Sequence, residues 1–160
     1  MDIYEYALAK ERYAEGFYRQ LSERTVNKGL KSIFSALADE EAKHYRVIEQ
    51  MQRSGAGKVE GTVFSVPHKA FGQIGKNGNF TGIDAGEVEV YRQAQSIEKE
   101  SRDFYLEKAG ETQMEDEKKV FLMLAEEEKK HYALLDNIIE FVLRPQRWLE
   151  NAEFYHQEEY

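Results

Sequence analysis

A nine-residue segment occurs twice in this chain, and this repetition constrains the fold more than any other feature. Residues 37–45 read LADEEAKHY and residues 124–132 read LAEEEKKHY, so seven of the nine positions are identical at an offset of 87 residues. The same offset, without a gap, pairs Tyr4 with Tyr91 and Glu11 with Glu98. The two halves of the chain should therefore fold on one plan.

That plan is helical. Long stretches are rich in Ala, Leu, Glu, Lys, Arg and Gln, and the two prolines are Pro67 and Pro145. Such segments favour uninterrupted helices, and Pro145 is expected to end the last of them and begin a short C-terminal helix. The four long helices are predicted over residues 2–25, 27–52, 86–109 and 113–143.

The connections between these helices differ in length. Only a few residues separate the first helix from the second and the third from the fourth, so each half is predicted to be an antiparallel hairpin. Residues 53–85 contain seven glycines and form a long crossover. Two hairpins joined in this way predict an all-α, ferritin-like four-helix bundle. We expect one domain over residues 1–160, made of hairpin 2–52, crossover 53–85, hairpin 86–143 and C-terminal segment 144–160.

Each helix has an apolar stripe that acidic residues interrupt. On the fourth helix the stripe consists of Phe121, Leu124, Glu128, His131, Leu135, Ile138 and Val142. The second helix places Glu41 and His44 at the corresponding positions, and the first and third helices place Glu11 and Glu98 in theirs. Residues at steps of three and four share one helix face, so all four glutamates and both histidines should point into one core.

The depth of these glutamates can also be predicted. Glu11 lies about 14 residues before the first turn, and Glu41 lies about as far after it, so the two should face each other. For Glu98 and Glu128 the predicted helix ends leave a mismatch of roughly 5 Å along the bundle.

Four ionised carboxylates inside an apolar bundle need compensating charge. Burial would cost several kcal/mol for each, and the stripes contain no lysine or arginine. Two divalent cations would supply four positive charges, and carboxylates with imidazoles suit iron or manganese. One Glu-x-x-His motif alone is more often an exposed pair, but here it occurs twice at matched positions. The predicted ligands are Glu11, Glu41, His44, Glu98, Glu128 and His131.

Two tyrosines lie near this site. Tyr18 and Tyr105 follow Glu11 and Glu98 by two helical turns on the same face. They are either core tyrosines or donors of hydrogen bonds to the ligand carboxylates, and we favour the second reading because a carboxylate is a natural acceptor.

Other titratable residues are predicted to be solvent-exposed. Glu40 and Glu127 adjoin the predicted ligands and project about 100° away around the helix. His68 and His156 lie in the crossover and the C-terminal tail, without a partner at ligand spacing.

The six predicted ligands give the chain a resemblance to the rubrerythrin branch of the ferritin-like superfamily. The pattern of that branch is one glutamate on helices 1 and 3 and Glu-x-x-His on helices 2 and 4, and the similarity extends from Tyr4 to about Val142. It implies a di-iron centre with the six residues as ligands and tyrosines that contact the carboxylates. It further implies an oxidoreductase that reduces hydrogen peroxide or dioxygen, and a small oligomer, expected to be a homodimer.

The chain also departs from that family. It contains no cysteine, so the iron-binding rubredoxin-like module of full-length rubrerythrins is not expected, and a separate protein must supply electrons. Rubrerythrins carry an additional glutamate three residues from its neighbour on helix 3, whereas the positions three away from Glu98 are Gln95 and Ser101.

Composition bounds the function further. Thirty acidic and 22 basic residues give a net charge of −8, which argues against nucleic acid as a partner. The N-terminus has no basic or apolar run, so neither a signal peptide nor a membrane span is expected, and a cytoplasmic protein is the default. Two alternatives stay open, namely an iron-storage ferroxidase and a metal-stabilised bundle without turnover.

Overall fold

Four helices account for most of the structure. The structure is a computed structural model that describes residues 2–59 and 85–150. The helices are α1 (Ile3–Arg24), α2 (Lys28–Ser54), α3 (Val88–Glu111) and α4 (Glu115–Glu150). Short 3₁₀ turns lie at Ala56–Lys58 and Ala85–Glu87, and the described residues include no strand. The predicted all-α fold is confirmed.

Local sequence signals explain where the first two helices begin and end. The Asp2 carboxylate accepts hydrogen bonds from two backbone N–H groups of the first turn of α1, at 2.8 and 2.9 Å. Asn27 caps α2 in the same way, by accepting from the backbone N–H of Leu30 at 3.0 Å. Gly55 ends α2 with a φ of 84°, a left-handed conformation that favours glycine.

The helices pack as two hairpins. Helix α1 packs against α2 and α3 packs against α4 along most of their lengths, and the hairpins meet with α1 beside α3 and α2 beside α4. This arrangement is the predicted ferritin-like bundle.

The apolar core has two parts with a polar layer between them. On α2, Leu37 belongs to one cluster of buried apolar residues and Ile48 to the other. On α4, Leu135 and Leu124 belong to the same two clusters in turn. The Glu-x-x-His motif of each helix lies between these positions, so apolar packing closes the layer on both sides.

The end of the fourth helix was wrongly predicted. Helix α4 continues through Pro145 to Glu150, so no separate helix begins at the proline. A proline removes one backbone hydrogen bond, and in a helix of 36 residues that loss does not end the helix. The remaining predicted ends agree with the structure to within two residues.

Part of the predicted organisation lies outside the described residues. This applies to residues 60–84 of the crossover with His68, and to residues 151–160 with His156. The division of the chain into one domain with these segments stays a prediction. Along residues 2–59 and 85–150, none of the helices has an apolar run long enough to cross a membrane.

Candidate metal centre

The four inward glutamates lie at one level of the bundle. In each hairpin the first glutamate, Glu11 or Glu98, lies 13 residues before the end of its helix. The second, Glu41 or Glu128, lies 13 residues after the start of the next helix. The predicted mismatch of roughly 5 Å in the second hairpin was wrong, because α3 ends and α4 begins two residues later than predicted.

These side chains form two overlapping groups of possible metal ligands. Glu11, Glu41, His44 and Glu128 form the first group, and Glu41, Glu98, Glu128 and His131 form the second. Within each group the ligand atoms all lie within 4.8 Å of one another. Glu41 and Glu128 belong to both groups, which is the placement that two ions bridged by carboxylates require.

Both histidines turn the same ring nitrogen toward the glutamates. The Nδ1 atom of His44 lies 2.7 Å from Glu128 Oε1 and 3.5 Å from Glu11 Oε2. The Nδ1 atom of His131 lies 3.0 Å from Glu41 Oε1. The two rings are nearly parallel, with centroids 5.6 Å apart and planes inclined by 9°. Each imidazole can therefore offer Nδ1 as a ligand.

The two tyrosines connect the hairpins at this level. The hydroxyl of Tyr18 on α1 donates a hydrogen bond to Glu98 Oε1 on α3, at 2.6 Å. The hydroxyl of Tyr105 on α3 donates to Glu11 Oε1 on α1. Sequence spacing placed each tyrosine near the glutamate of its own helix, whereas the packing of α1 beside α3 gives it the glutamate of the other helix.

Burial and charge separate the glutamates into two kinds. Desolvation raises the pKa of Glu41 and Glu128 well above 4.5, and neighbouring carboxylates raise it further. Desolvation is also the largest influence on the pKa of Glu98 and raises it. However, the charge of His131 and hydrogen bonds to the carboxylate together outweigh desolvation and lower this pKa to about 2. The pKa of Glu11 is lowered for similar reasons.

The histidines respond in the opposite way to simple burial. Desolvation alone would lower the pKa of His44 and His131. The charge of Glu11 outweighs it for His44, and the charge of Glu98 does so for His131, so both pKa values are raised well above 6.5. Without bound cations, the site therefore balances its charge by retaining protons.

The donor set fits divalent cations. All six side chains are at most 1% exposed. Among the described residues, one oxygen of each glutamate lacks a hydrogen bond: Glu11 Oε2, Glu41 Oε2, Glu98 Oε2 and Glu128 Oε1. Native proteins rarely leave buried acceptors in this condition. Four carboxylates and two imidazoles without thiolates match iron or manganese better than a structural zinc site.

Sequence reasoning missed two buried glutamates. Glu40 and Glu127 were predicted to be solvent-exposed, but they are only 3% and 5% exposed. Lysines one turn away, Lys43 and Lys130, each lie 3.4 Å from the respective carboxylate. The prediction was wrong because α2 packs beside α4, which buries a wider strip of each helix than its apolar stripe. Their repetition at the 87-residue offset was the available signal.

The region three residues from Glu98 differs from the family pattern in structure as well as in sequence. The amide nitrogen of Gln95 donates toward the backbone oxygen of Tyr132 at 3.3 Å and toward Asp136 Oδ1 at 3.4 Å. Gln95 therefore faces α4 and belongs to neither group of ligands. Ser101 is buried.

Comparison with known proteins agrees with this geometry. The rubrerythrin family model matches residues 2–139. The chain belongs to the rubrerythrin family. The match covers both hairpins and all six predicted ligands of this rubrerythrin domain, and it ends before Pro145. No curated protein and no solved structure matches the chain.

Proposed function

We propose that the protein is a non-haem di-iron oxidoreductase that reduces hydrogen peroxide or dioxygen with electrons from a separate donor protein. The observation that carries the proposal is the pair of buried ligand groups that share Glu41 and Glu128. Membership of the rubrerythrin family supports iron as the metal, and the donor set also suits manganese or mixed occupancy.

The proposed ligand roles follow from the two groups. Glu11 and His44 belong to the first group alone and would hold one ion. Glu98 and His131 belong to the second alone and would hold the other. The two shared glutamates would bridge the ions.

The residues around the ligands have their own parts in the reaction. Two bound ferrous ions would supply the two electrons that, with two protons, convert hydrogen peroxide into two water molecules. Glutamates can shift between chelating and bridging positions as the charge on the iron changes. Tyr18 and Tyr105 hold Glu98 and Glu11 in place through their hydrogen bonds, and the two apolar clusters keep bulk water from the polar layer.

The remaining parts of the proposal concern partners. The 160 residues contain no cysteine, so a thiolate-bound iron that could pass electrons to the centre must come from another protein. By its resemblance to rubrerythrins we propose a cytoplasmic homodimer that binds neither nucleic acid nor membranes.

Anaerobic loading followed by one oxidant pulse tests the function. The protein is loaded with ferrous iron, the bound iron is counted, and one equivalent of hydrogen peroxide per pair of ions is added. We expect two ions for each chain, and oxidation of both within seconds. Slow or absent oxidation would indicate a metal-stabilised bundle, and elution from a sizing column as a hollow shell would indicate an iron-storage ferroxidase.

Variants test the ligand assignment. Glu41→Ala and Glu128→Ala should each abolish binding of both ions, because each glutamate belongs to both groups. Glu126→Ala is the matched control, since Glu126 is exposed on the same helix as Glu128 and should leave binding unchanged. Retention of two ions by either bridging variant would refute the assignment.

A further inference from the structure

A third cluster of buried polar residues lies beside the two ligand groups. Nitrogen atoms of His44 and His131 and a carboxylate oxygen of Glu127 all lie within 4.8 Å of one another. The Nδ1 atoms of both rings are already 2.7 to 3.5 Å from the four inward glutamates. The Nε2 atoms are therefore the ring nitrogens that Glu127 can serve.

Glu127 and His131 have complementary hydrogen-bonding capacity. Glu127 Oε2 and His131 Nε2 are both buried and have no hydrogen bond to any part of the chain that the structure describes. The other oxygen of Glu127 lies 3.4 Å from Lys130 Nζ. A carboxylate only accepts, and an imidazole that binds metal through Nδ1 carries its proton on Nε2 and donates. Leaving both groups unpaired would cost free energy.

The separation fits one intervening water molecule. Two hydrogen bonds of about 2.8 Å at a water molecule span roughly 4.6 Å between their outer atoms. One water molecule can accept from two N–H groups and donate to a carboxylate, and three polar partners are typical of a buried water.

We propose that Glu127 is a positioning residue of the metal centre, whose carboxylate accepts the Nε2–H groups of both imidazoles through one bridging water molecule. It thereby holds each ring with Nδ1 toward the glutamates. The inference rests on the proposed metal centre. Groups that orient metal-bound histidines in this way raise metal affinity, because the ligating nitrogen is presented with its lone pair available.

The internal repeat supplies a matched control. Glu40 is the equivalent of Glu127 on α2, is equally buried, and has Lys43 at the same distance of 3.4 Å. Among the described residues, the cluster that includes both histidines contains Glu127 and not Glu40. Glu40→Gln therefore removes a buried charge of the same kind without removing the proposed acceptor.

The test uses zinc as a diamagnetic probe, with the full chain as wild type, Glu127→Gln and Glu40→Gln. Long-range proton–nitrogen NMR spectra report the tautomer of each histidine, and competition titration gives the zinc affinity. In the wild type we expect both histidines with zinc at Nδ1 and a proton on Nε2. Glu127→Gln should weaken zinc binding about 10- to 100-fold and shift both Nε2–H signals. Glu40→Gln should change the affinity less than about threefold, which is below the loss typical of such orienting groups.

Several results would overturn the inference. One is a wild-type spectrum in which either histidine carries its proton on Nδ1, and this test does not depend on how any variant folds. Another is a Glu127→Gln protein with unchanged affinity and signals, or a Glu40→Gln protein with the same loss. A wild-type protein that binds no zinc would overturn the metal centre as well, which distinguishes the two failures.

Discussion

Loading the metal centre should release protons from its ligands. The raised pKa values of the two histidines make both imidazoles cationic at neutral pH. Glu11 and Glu98, whose pKa values are lowered, balance those charges. Glu41 and Glu128, whose pKa values are raised, retain protons. The metal-free site then has a net charge of zero, as a buried site requires.

The charge balance gives the magnitude. Two divalent cations bring four positive charges, so the site stays neutral when its ligands lose about four protons, two from Glu41 and Glu128 and two from the histidines. Release of about two protons for each ion means that affinity for each ion rises about 100-fold per pH unit near neutrality.

Titration in a weakly buffered solution measures this release. Metal-free protein is titrated with zinc while a pH indicator reports the protons, and calorimetry in two buffers of different ionisation enthalpy provides a second count. Glu126→Ala should match the wild type because its side chain is exposed. Release of fewer than two protons for two bound ions would refute the reasoning, since the ligands would then already be deprotonated.

Four further predictions follow from the same contacts. The metal-free protein should gain stability from pH 2 to 4.5, where the lowered carboxyl pKa values act, and lose it above pH 4.5 and further above 6.5, where the raised pKa values act, as urea midpoints at several pH values will show. Glu98→Ala should leave one bound ion, counted by metal analysis, because Glu98 belongs to one group. Tyr18→Phe should lower the free energy of unfolding by about 1–3 kcal/mol, since it leaves a buried carboxylate oxygen without its donor. Phe34→Ala, at a fully buried position, should lower it by about 3–5 kcal/mol in denaturant titrations, against less than about 0.5 kcal/mol for the exposed Val26→Ala.

The repeat and the helical periodicity were sufficient to predict the helices and the inward direction of the six polar residues. Residues on one helix keep a constant rise and rotation, so the face and the level of Glu41 or Glu128 follow from counting. The error in the level of Glu98 came only from the predicted ends of α3 and α4. Pro145 shows the limit of local rules, because the remainder of a long helix outweighed its preference.

What the chain alone determined is therefore the set of side chains that share each helix face. The tertiary structure decided which of them touch. Tyr18 contacts Glu98 rather than Glu11, and Glu127 is buried near both histidines, because helices far apart in sequence lie side by side. Periodicity within one helix contains no information about the angle and offset at which another helix packs against it, and those two quantities select the partners.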